Sequence, residues 1–477
     1  MKYGLLELPE RLRASILLLS SGLMIVTDSK KYQLMKHQEK IVDLYQRSSC
    51  VFNTSEAGTG KTLAVLHFWA ERRRQGGGRL LIFAPKSCVE SVWANEVEKF
   101  FGYEFRVGLA LAPKREPGFH LAYDVTVMNH DGIKWLVDHL DLIKDYDTLV
   151  WDESDALRHN SARTKAALKL AKLPQWKSKS CLTATPFNKS VTEMFYQVLF
   201  LDGGQRLGKS FYKFRSTVCD PIQVGPAAQH IQWVDKPDAP AAVAGILQDI
   251  SIRFKLDEVV EMPGLTHRTI KVKLPNKLMQ RYQQLRQDAI LKLKSSEVVA
   301  LNAAVLTNKL QQVASGSVYT SKGHEIIDTT KYELAVELAR EARPAVVFYQ
   351  YEHQLEALLK EAKKHGLVHQ YIDGSVSSAK RQHIVQTFQT GMVDCVFLQI
   401  NSAAHGITLH QASRVIFVTP PYSPSLYAQA YGRIYRTGQK HKCESILLVS
   451  KGTLEEKIVQ VLTSRGEKQK DLLELLE

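Results

Sequence analysis

Eight residues, Ser55–Thr62 (SEAGTGKT), place two glycines, a lysine and a threonine after the apolar pair Val51-Phe52 and ahead of an apolar-periodic stretch. A strand, a glycine turn and a helix start in that order aim several backbone N–H groups at one anion, and the helix dipole adds positive potential. In such a cradle Lys61 reaches the β- and γ-phosphates of a nucleotide and the Thr62 hydroxyl ligates Mg²⁺. Gly58 and Gly60 let the backbone approach the phosphates, with Thr59 between them. The usual pattern opens on glycine and this one opens on Ser55, but that position asks only for a small residue. The alternative is a glycine turn before an ordinary helix; G-K-T directly after a strand argues against it.

A phosphate site of this kind needs an acid on a neighbouring strand. TLVWDESD (residues 148–155) supplies two, Asp152 and Glu153, at the end of an apolar run. Asp152 is suited to hold Mg²⁺, directly or through water, and Glu153 to polarise an attacking water. The same acids could cap a helix over ALRH. Far along the chain, QAYGRIYRTGQ (residues 429–439) sets Arg433 and Arg436 three apart, one face of a helix. Two forked guanidinium groups fit a γ-phosphate; a solvated basic face is the other reading.

These residues need elements to carry them. Short apolar runs ending in polar residues recur at 80–85, 124–129, 148–153 and 180–185, separated by helical patterns such as SVWANEVEKFF and SARTKAALKLAKL. The alternation predicts a parallel sheet with helices on both faces, and active residues at the carboxyl ends of its strands. A second set of strands is predicted at 345–350, 368–373, 394–400, 414–420 and 444–450. Between the sets, residues 202–328 carry long polar helical patterns, read as a crossover with helical protrusions. The resulting expectation is an α/β chain of two lobes in tandem, residues 31–260 and 261–477, each with short helical insertions. Residues 1–30 form a small extension in which ASILLLSSGLMIV (14–26) suggests a two-stranded hairpin turning at Ser20–Gly22.

The 477 residues suffice for two or three domains, and 44% hydrophobic with 23% charged residues is an ordinary globular composition. Lys+Arg of 63 against Asp+Glu of 49 leaves a net charge of +14, which suggests a polyanionic partner such as nucleic acid. The six cysteines are scattered with no C-x-x-C pair, so neither a zinc site nor a disulfide framework is signalled; an intracellular location is expected. The apolar stretch at 14–26 is too short to span a bilayer, is broken at Ser20–Gly22, and follows Glu7, Pro9 and Glu10, which do not suit a signal peptide's lead, so no membrane role is expected. Arg72-Arg73-Arg74 could be a nucleic-acid patch, but at a helix end before three glycines it more simply offsets the helix dipole.

Taken in order, the motifs resemble those of superfamily-two helicase-like ATPases, and within them the switch/sucrose-nonfermenting (Swi/Snf) group of DNA translocases. LMKHQ (34–38) resembles the entry motif whose glutamine, here Gln38, reads adenine. APKSCVESVWANEVEKF (84–100) resembles motif Ia, with Pro85, Ser87, Trp93 and Glu96 matching. LTATPFNKS (182–190) resembles motif III, NSAAHGITLHQASRVIF (401–417) motif V, and KGTLEEKI (451–458) the segment after motif VI. The resemblance spans about 34–458 and implies two RecA-like lobes with ATP and Mg²⁺ between them. It implies roles for Lys61, Asp152, Glu153, Arg433 and Arg436 in catalysis. Gln38, Gly58, Thr59, Gly60, Lys61, Thr62 and Gly406 would bind nucleotide, and Thr62 and Asp152 metal. Ser87, Thr185, Ser402 and Thr408 are implied as DNA contacts. Asp155 stands where many relatives have histidine, which would alter coupling between ATP and motif III. Motif V departs at Ala404-His405-Gly406 and Thr408-Leu409-His410, bearing on the DNA track.

The implied activity is an ATP-driven, DNA-stimulated motor that acts as a monomer. Three readings compete: a translocase on double-stranded DNA, a strand-separating or branch-migrating helicase on forks or junctions, and a binding module with a silent ATP site. The intact acids and arginines argue against the last. A small-molecule kinase would leave the second lobe unexplained.

Overall fold

The computed structural model describes residues 16–19, 22–25, 32–225, 230–295, 299–320, 323–403 and 406–463. The first lobe is built on seven strands: β1 (Cys50–Asn53), β2 (Arg79–Ala84), β3 (Val107–Ala110), β4 (Val125–Asn129), β5 (Tyr146–Asp152), β6 (Ser178–Leu182) and β7 (Ser251–Ile252). Their order in the sheet is β7-β1-β6-β5-β2-β4-β3, every neighbouring pair parallel. Alternation along β2 explains why both faces are covered. Leu81 and Phe83 join one apolar cluster with Leu149 and Trp151, while Leu80 and Ile82 join another with Val150. Strands buried on both faces read as continuous apolar runs, which is how the sequence presents them.

The second lobe repeats the plan with six parallel strands: β8 (Leu265–Val272), β9 (Ala345–Tyr349), β10 (His369–Ile372), β11 (Cys395–Gln399), β12 (Arg414–Phe417) and β13 (Cys443–Ser450), in the order β8-β13-β12-β9-β11-β10. Val346 and Phe348 face one cluster, Ala345, Val347 and Tyr349 the other. Two long helices, Asn276–Ser295 and Val299–Ala314, stand on this lobe through Leu278, Tyr282, Val313 and Ala314.

The region read as a helical crossover is more varied than predicted. Its first part stays with the first lobe, adding the helix Phe211–Val218, an antiparallel hairpin of Cys219–Gln223 with Ile231–Asp235, the helix Ala239–Leu247, and β7 at the sheet edge. The hairpin has no clean apolar alternation, and Pro221 sits inside one strand, so its signal was weak. The chain then passes to the second sheet between Ile252 and Leu265. At the N-terminus, Ile16–Leu19 pairs antiparallel with Gly22–Ile25, the predicted hairpin; Ser20 and Ser21 lie outside the described residues. Among the described residues, no helix is long and apolar enough to cross a membrane.

Candidate active site

Strand β6 lies between β1 and β5. The chain leaves β1 into the 54–60 loop and β5 into Asp152-Glu153, so the cradle and the acids emerge at the same edge, flanking the Thr183–Ser190 loop after β6. Gly58 (φ 88°) and Gly60 (φ 77°) adopt left-handed backbone that side chains disfavour. Gly60 caps helix α1 (Lys61–Arg74), with Lys61 and Thr62 at its first two positions. A Cβ at Gly60 would collide with the Gln38 amide.

The loop is held from several sides. Lys61 Nζ donates to the carbonyls of Ser55 (2.6 Å) and Glu56 (3.0 Å). The His37 ring nitrogen Nε2 lies 2.7 Å from Thr59 O, and Gln38 Nε2 donates to Gly60 O at 3.2 Å. Gln38 Oε1 accepts from Met35 N, so both ends of this amide brace backbone. Ser55, fully buried, accepts the Phe254 N–H on its hydroxyl at 3.1 Å. That bond accounts for serine at this position: it ties the phosphate loop to the segment that leaves the lobe. Glu56 N–H donates to Phe254 O, and Arg253 reaches Thr54 O at 2.5 Å.

Among the described residues, Glu153 is the one non-glycine with a left-handed backbone (φ 49°, ψ 60°). Strain of about 1–3 kcal/mol persists where surrounding structure imposes it, often at functional sites. Its Oε2 is buried without a hydrogen-bond partner. Asp152 is clamped: Oδ1 accepts from Glu153 N–H (3.0 Å), Oδ2 from the Trp93 indole (2.9 Å), and its carbonyl lies 2.8 Å from His130 Nε2. Burial, and then the Glu153 charge, push the Asp152 carboxyl up to about 7, against the Trp93 bond and Lys61. Burial also pulls the Lys61 ammonium down, opposed by Glu153 and Asp152. Adjacent desolvated acids of this kind are stabilised by a cation held against them. Together with the orphaned Glu153 oxygen and the glycine cradle, this donor set fits a Mg²⁺–nucleotide.

Asp155 links this corner to the loop after β6. Burial, with Glu153, raises its carboxyl to about 7, and Arg158 opposes. Arg158 lies 3.7 Å from Asp155 and 3.5 Å from Glu193, and donates to the Thr185 carbonyl and hydroxyl. Ser154 Oγ donates to Gln197 Oε1 (2.7 Å), whose amide nitrogen donates to Pro186 O (2.6 Å). An aspartate–arginine pair thus joins the acids to the loop after β6. Thr185 is buried inside the lobe with its hydroxyl taken by Arg158.

The predicted helix carrying the two arginines stops short. Helix α2 (Pro424–Tyr431) ends at Gly432, and Arg433 and Arg436 lie in the turns that follow. The Arg433 carbonyl accepts Leu409 N–H instead of continuing the ladder. Both guanidinium groups donate to Ile407 O, at 3.2 and 3.3 Å. Burial lowers both, Arg436 to about 10 with Arg433 adding to the effect; Glu153 opposes for Arg433 and Glu96 for Arg436. These turns meet the first lobe. Thr437 Oγ1 donates to Gly58 O at 2.9 Å, and a Cβ placed on Gly58 would lie 3.5 Å from Arg436 Cβ.

Of the remaining predicted residues, Gly406 (φ 76°) sits against motif Ia: its carbonyl accepts from Ser91 Oγ at 3.1 Å, and a Cβ there would lie 2.7 Å from Ser87 O. That is the seam between lobes, on the motif Ia side. Ser87 O also accepts from Ser91. Thr408 is half-buried between Ile407 and Leu409, and the Ser402 side chain lies outside the described residues. Arg72, Arg73 and Arg74 are ion-paired with Asp147, Asp124 and Glu104, which makes the triplet an internal brace. Sequence reasoning missed Arg158, His130, Ser91 and Arg253. Each acts on residues distant in the chain, and although Ser91 lies within the 84–100 motif, nothing in that motif marks its bond to Gly406.

The chain matches the model of the SNF2-related domain over residues 35–315 and that of the helicase conserved C-terminal domain over 328–438. It is 27% identical to protein p41 of Acyrthosiphon pisum secondary endosymbiont phage 1, covering 88% of this chain and 93% of that protein. It is 25% identical to a SWI/SNF-related matrix-associated actin-dependent regulator of chromatin subfamily A-like protein 1 homolog of Caenorhabditis elegans (88% and 59%). With the human DNA repair and recombination protein RAD54B the identity is 24% (90% and 54%), so the chain spans little more than half of these two relatives. A solved SWI2/SNF2 ATPase core of Sulfolobus solfataricus in complex with dsDNA aligns at 22% identity over 93% of each chain, TM-score 0.43. With the SNF2-related model covering more than half of its length, this chain belongs to the SNF2-related family of helicase-like proteins.

Proposed function

We propose that this protein is a DNA-stimulated ATP hydrolase that moves along double-stranded DNA, remodelling DNA structure or displacing bound protein. The observation that carries the reading is the seam itself: the Arg436–Thr437 turn of one lobe lies on the Gly58 loop of the other. Nucleotide held by the first lobe would then meet Arg433 and Arg436 when the lobes are together. Arginines supplied this way are worth about 10³–10⁵ in rate in related phosphoryl transfers.

In this reading the 58–60 backbone and Lys61 bind the phosphates. Thr62 and Asp152 would hold Mg²⁺, which would supply charge neutralisation. Glu153, with its unpartnered Oε2, orients the attacking water and accepts its proton. DNA lying across both lobes favours the closed seam, so binding and hydrolysis are linked. The net charge of +14 and relatives named for DNA repair and recombination support a DNA track. Ser87 and Thr408 are the proposed backbone contacts, which would grip without reading bases.

The test compares turnover with duplex, single-stranded, forked and four-way-junction DNA and with RNA, paired with displacement of a third strand from a triplex. Duplex should stimulate turnover by about 5–150-fold and support third-strand displacement without unwinding the duplex. Stimulation by single strands alone, with strand separation, would replace this reading by that of an unwinding helicase.

A further inference from the structure

We propose that Trp93 is a positioning residue: it fixes the carboxylate of Asp152 and does so from a turn on which the second lobe docks. The inference rests on Asp152 being the metal-binding acid.

Trp93 is fully buried, and its single donor, the indole N–H, goes to Asp152 Oδ2 at 2.9 Å. The other carboxylate oxygen takes the Glu153 N–H. One donor on each oxygen fixes the rotation of the carboxylate plane and leaves lone pairs on both for a cation and its waters. An indole in an apolar core needs a polar partner, but a backbone carbonyl would serve that need equally well. Here the partner is an acid at the end of the central strand β5.

The segment bearing Trp93 is irregular. Residues Val89–Ala94 form a π-helical turn, closed by a bond from Asn95 N–H to Glu90 O. Single π turns inside helices are uncommon and concentrate at functional sites. This turn has two working sides. One carries Ser91, which with Ser87 just before the turn packs on Gly406 of the second lobe: Ser91 Oγ donates to Gly406 O, and Gly406 has no room for a Cβ against Ser87 O. The other carries Trp93 into the first lobe and onto Asp152. A shift of the second lobe at Gly406 is therefore felt by the same rigid turn that orients the metal-binding acid.

Trp93→Phe keeps an aromatic ring and removes the N–H. Mn²⁺ affinity measured by electron paramagnetic resonance, with a non-hydrolysable ATP analogue bound, should fall by about tenfold, as for other residues that orient metal ligands. The Mg²⁺ concentration giving half-maximal turnover should rise in parallel, while the KM for ATP at saturating Mg²⁺ changes little. Unchanged Mn²⁺ affinity with a lowered Tm would reduce Trp93 to core packing and overturn the proposal. Ser91→Ala covers the case in which Trp93→Phe does not fold. It should weaken Mn²⁺ binding in the presence of duplex DNA and leave it unchanged without DNA; no DNA-dependent difference sinks the link to the second lobe. Asp152→Asn is the control for the underlying assignment: retention of wild-type Mn²⁺ affinity there removes Asp152 as ligand, whatever Trp93→Phe does.

Discussion

The two halves of the site are built differently. On the first lobe, the phosphate loop is tied down from distant parts of the chain by Ser55–Phe254, Arg253–Thr54, His37–Thr59 and Gln38–Gly60 contacts, with Lys61 folded onto its carbonyls. On the second lobe, Arg433 and Arg436 lie past the end of a helix and converge on one carbonyl, that of Ile407. Among the described residues, bonds across the seam include two hydroxyl-to-carbonyl contacts, Thr437 to Gly58 and Ser91 to Gly406. Each is worth about 1 kcal/mol net. In the proposed reading, a cradle braced within its own lobe and faced by an arginine turn from the other lobe suits a reversible switch. On that reading, binding would be kept on one lobe while competence for hydrolysis would depend on the arrival of the other.

The sharpest way to break that contrast is to disable each half separately. Lys61→Ala and Glu153→Gln should each reduce ATP turnover by about 10³-fold or more, with DNA binding in a mobility-shift assay retained. Normal turnover in either purified variant removes the assignment of the first half. Arg436→Ala should lower turnover by about 10³-fold yet leave ATP affinity within a few-fold, measured by calorimetry. If ATP binding is lost instead, that arginine belongs to the cradle and the two halves are not separate.

Structural substitutions sharpen the comparison further. Arg158→Ala removes the cation beside half-buried Asp155 and the donor to the buried Thr185 carbonyl, and should cost about 1–3 kcal/mol in denaturant unfolding. Arg158→Lys should recover part of that. Ser55→Ala leaves the Phe254 N–H without its acceptor and should cost about 1 kcal/mol. The smallest effect is expected from Thr437→Val: a drop of about fivefold in DNA-stimulated turnover, with stability unchanged, corresponding to the loss of one bond of about 1 kcal/mol. A Thr437→Val variant that unfolds more readily would mean the seam contributes to stability as much as the cradle does.

Much of this could be read from the sequence because the relevant chemistry is local. Lys61 and Thr62 follow their glycines directly, and Asp152 and Glu153 end an apolar strand, so spacing alone names them. The doubly buried strands announce themselves as apolar runs for the same reason. Reading failed where local pattern and final geometry part. Arg433 and Arg436 have helical spacing, yet Gly432 and the bond between Arg433 O and Leu409 N end the helix at Tyr431. The 219–235 hairpin has no two-residue alternation to show it.

The chain order by itself determined the fold class and named the candidate phosphate cradle, acid pair and arginines, since each depends on side-chain period or on neighbours a few residues away. Only the tertiary structure decided why Ser55 replaces glycine, that Asp155 works through Arg158, and that Trp93 holds Asp152. Those contacts join residues 199, 27 and 59 apart for Ser55–Phe254, Arg158–Thr185 and Trp93–Asp152. Hydrogen bonding depends on distance and angle in space, and a one-dimensional pattern carries neither until the strands have been ordered into a sheet.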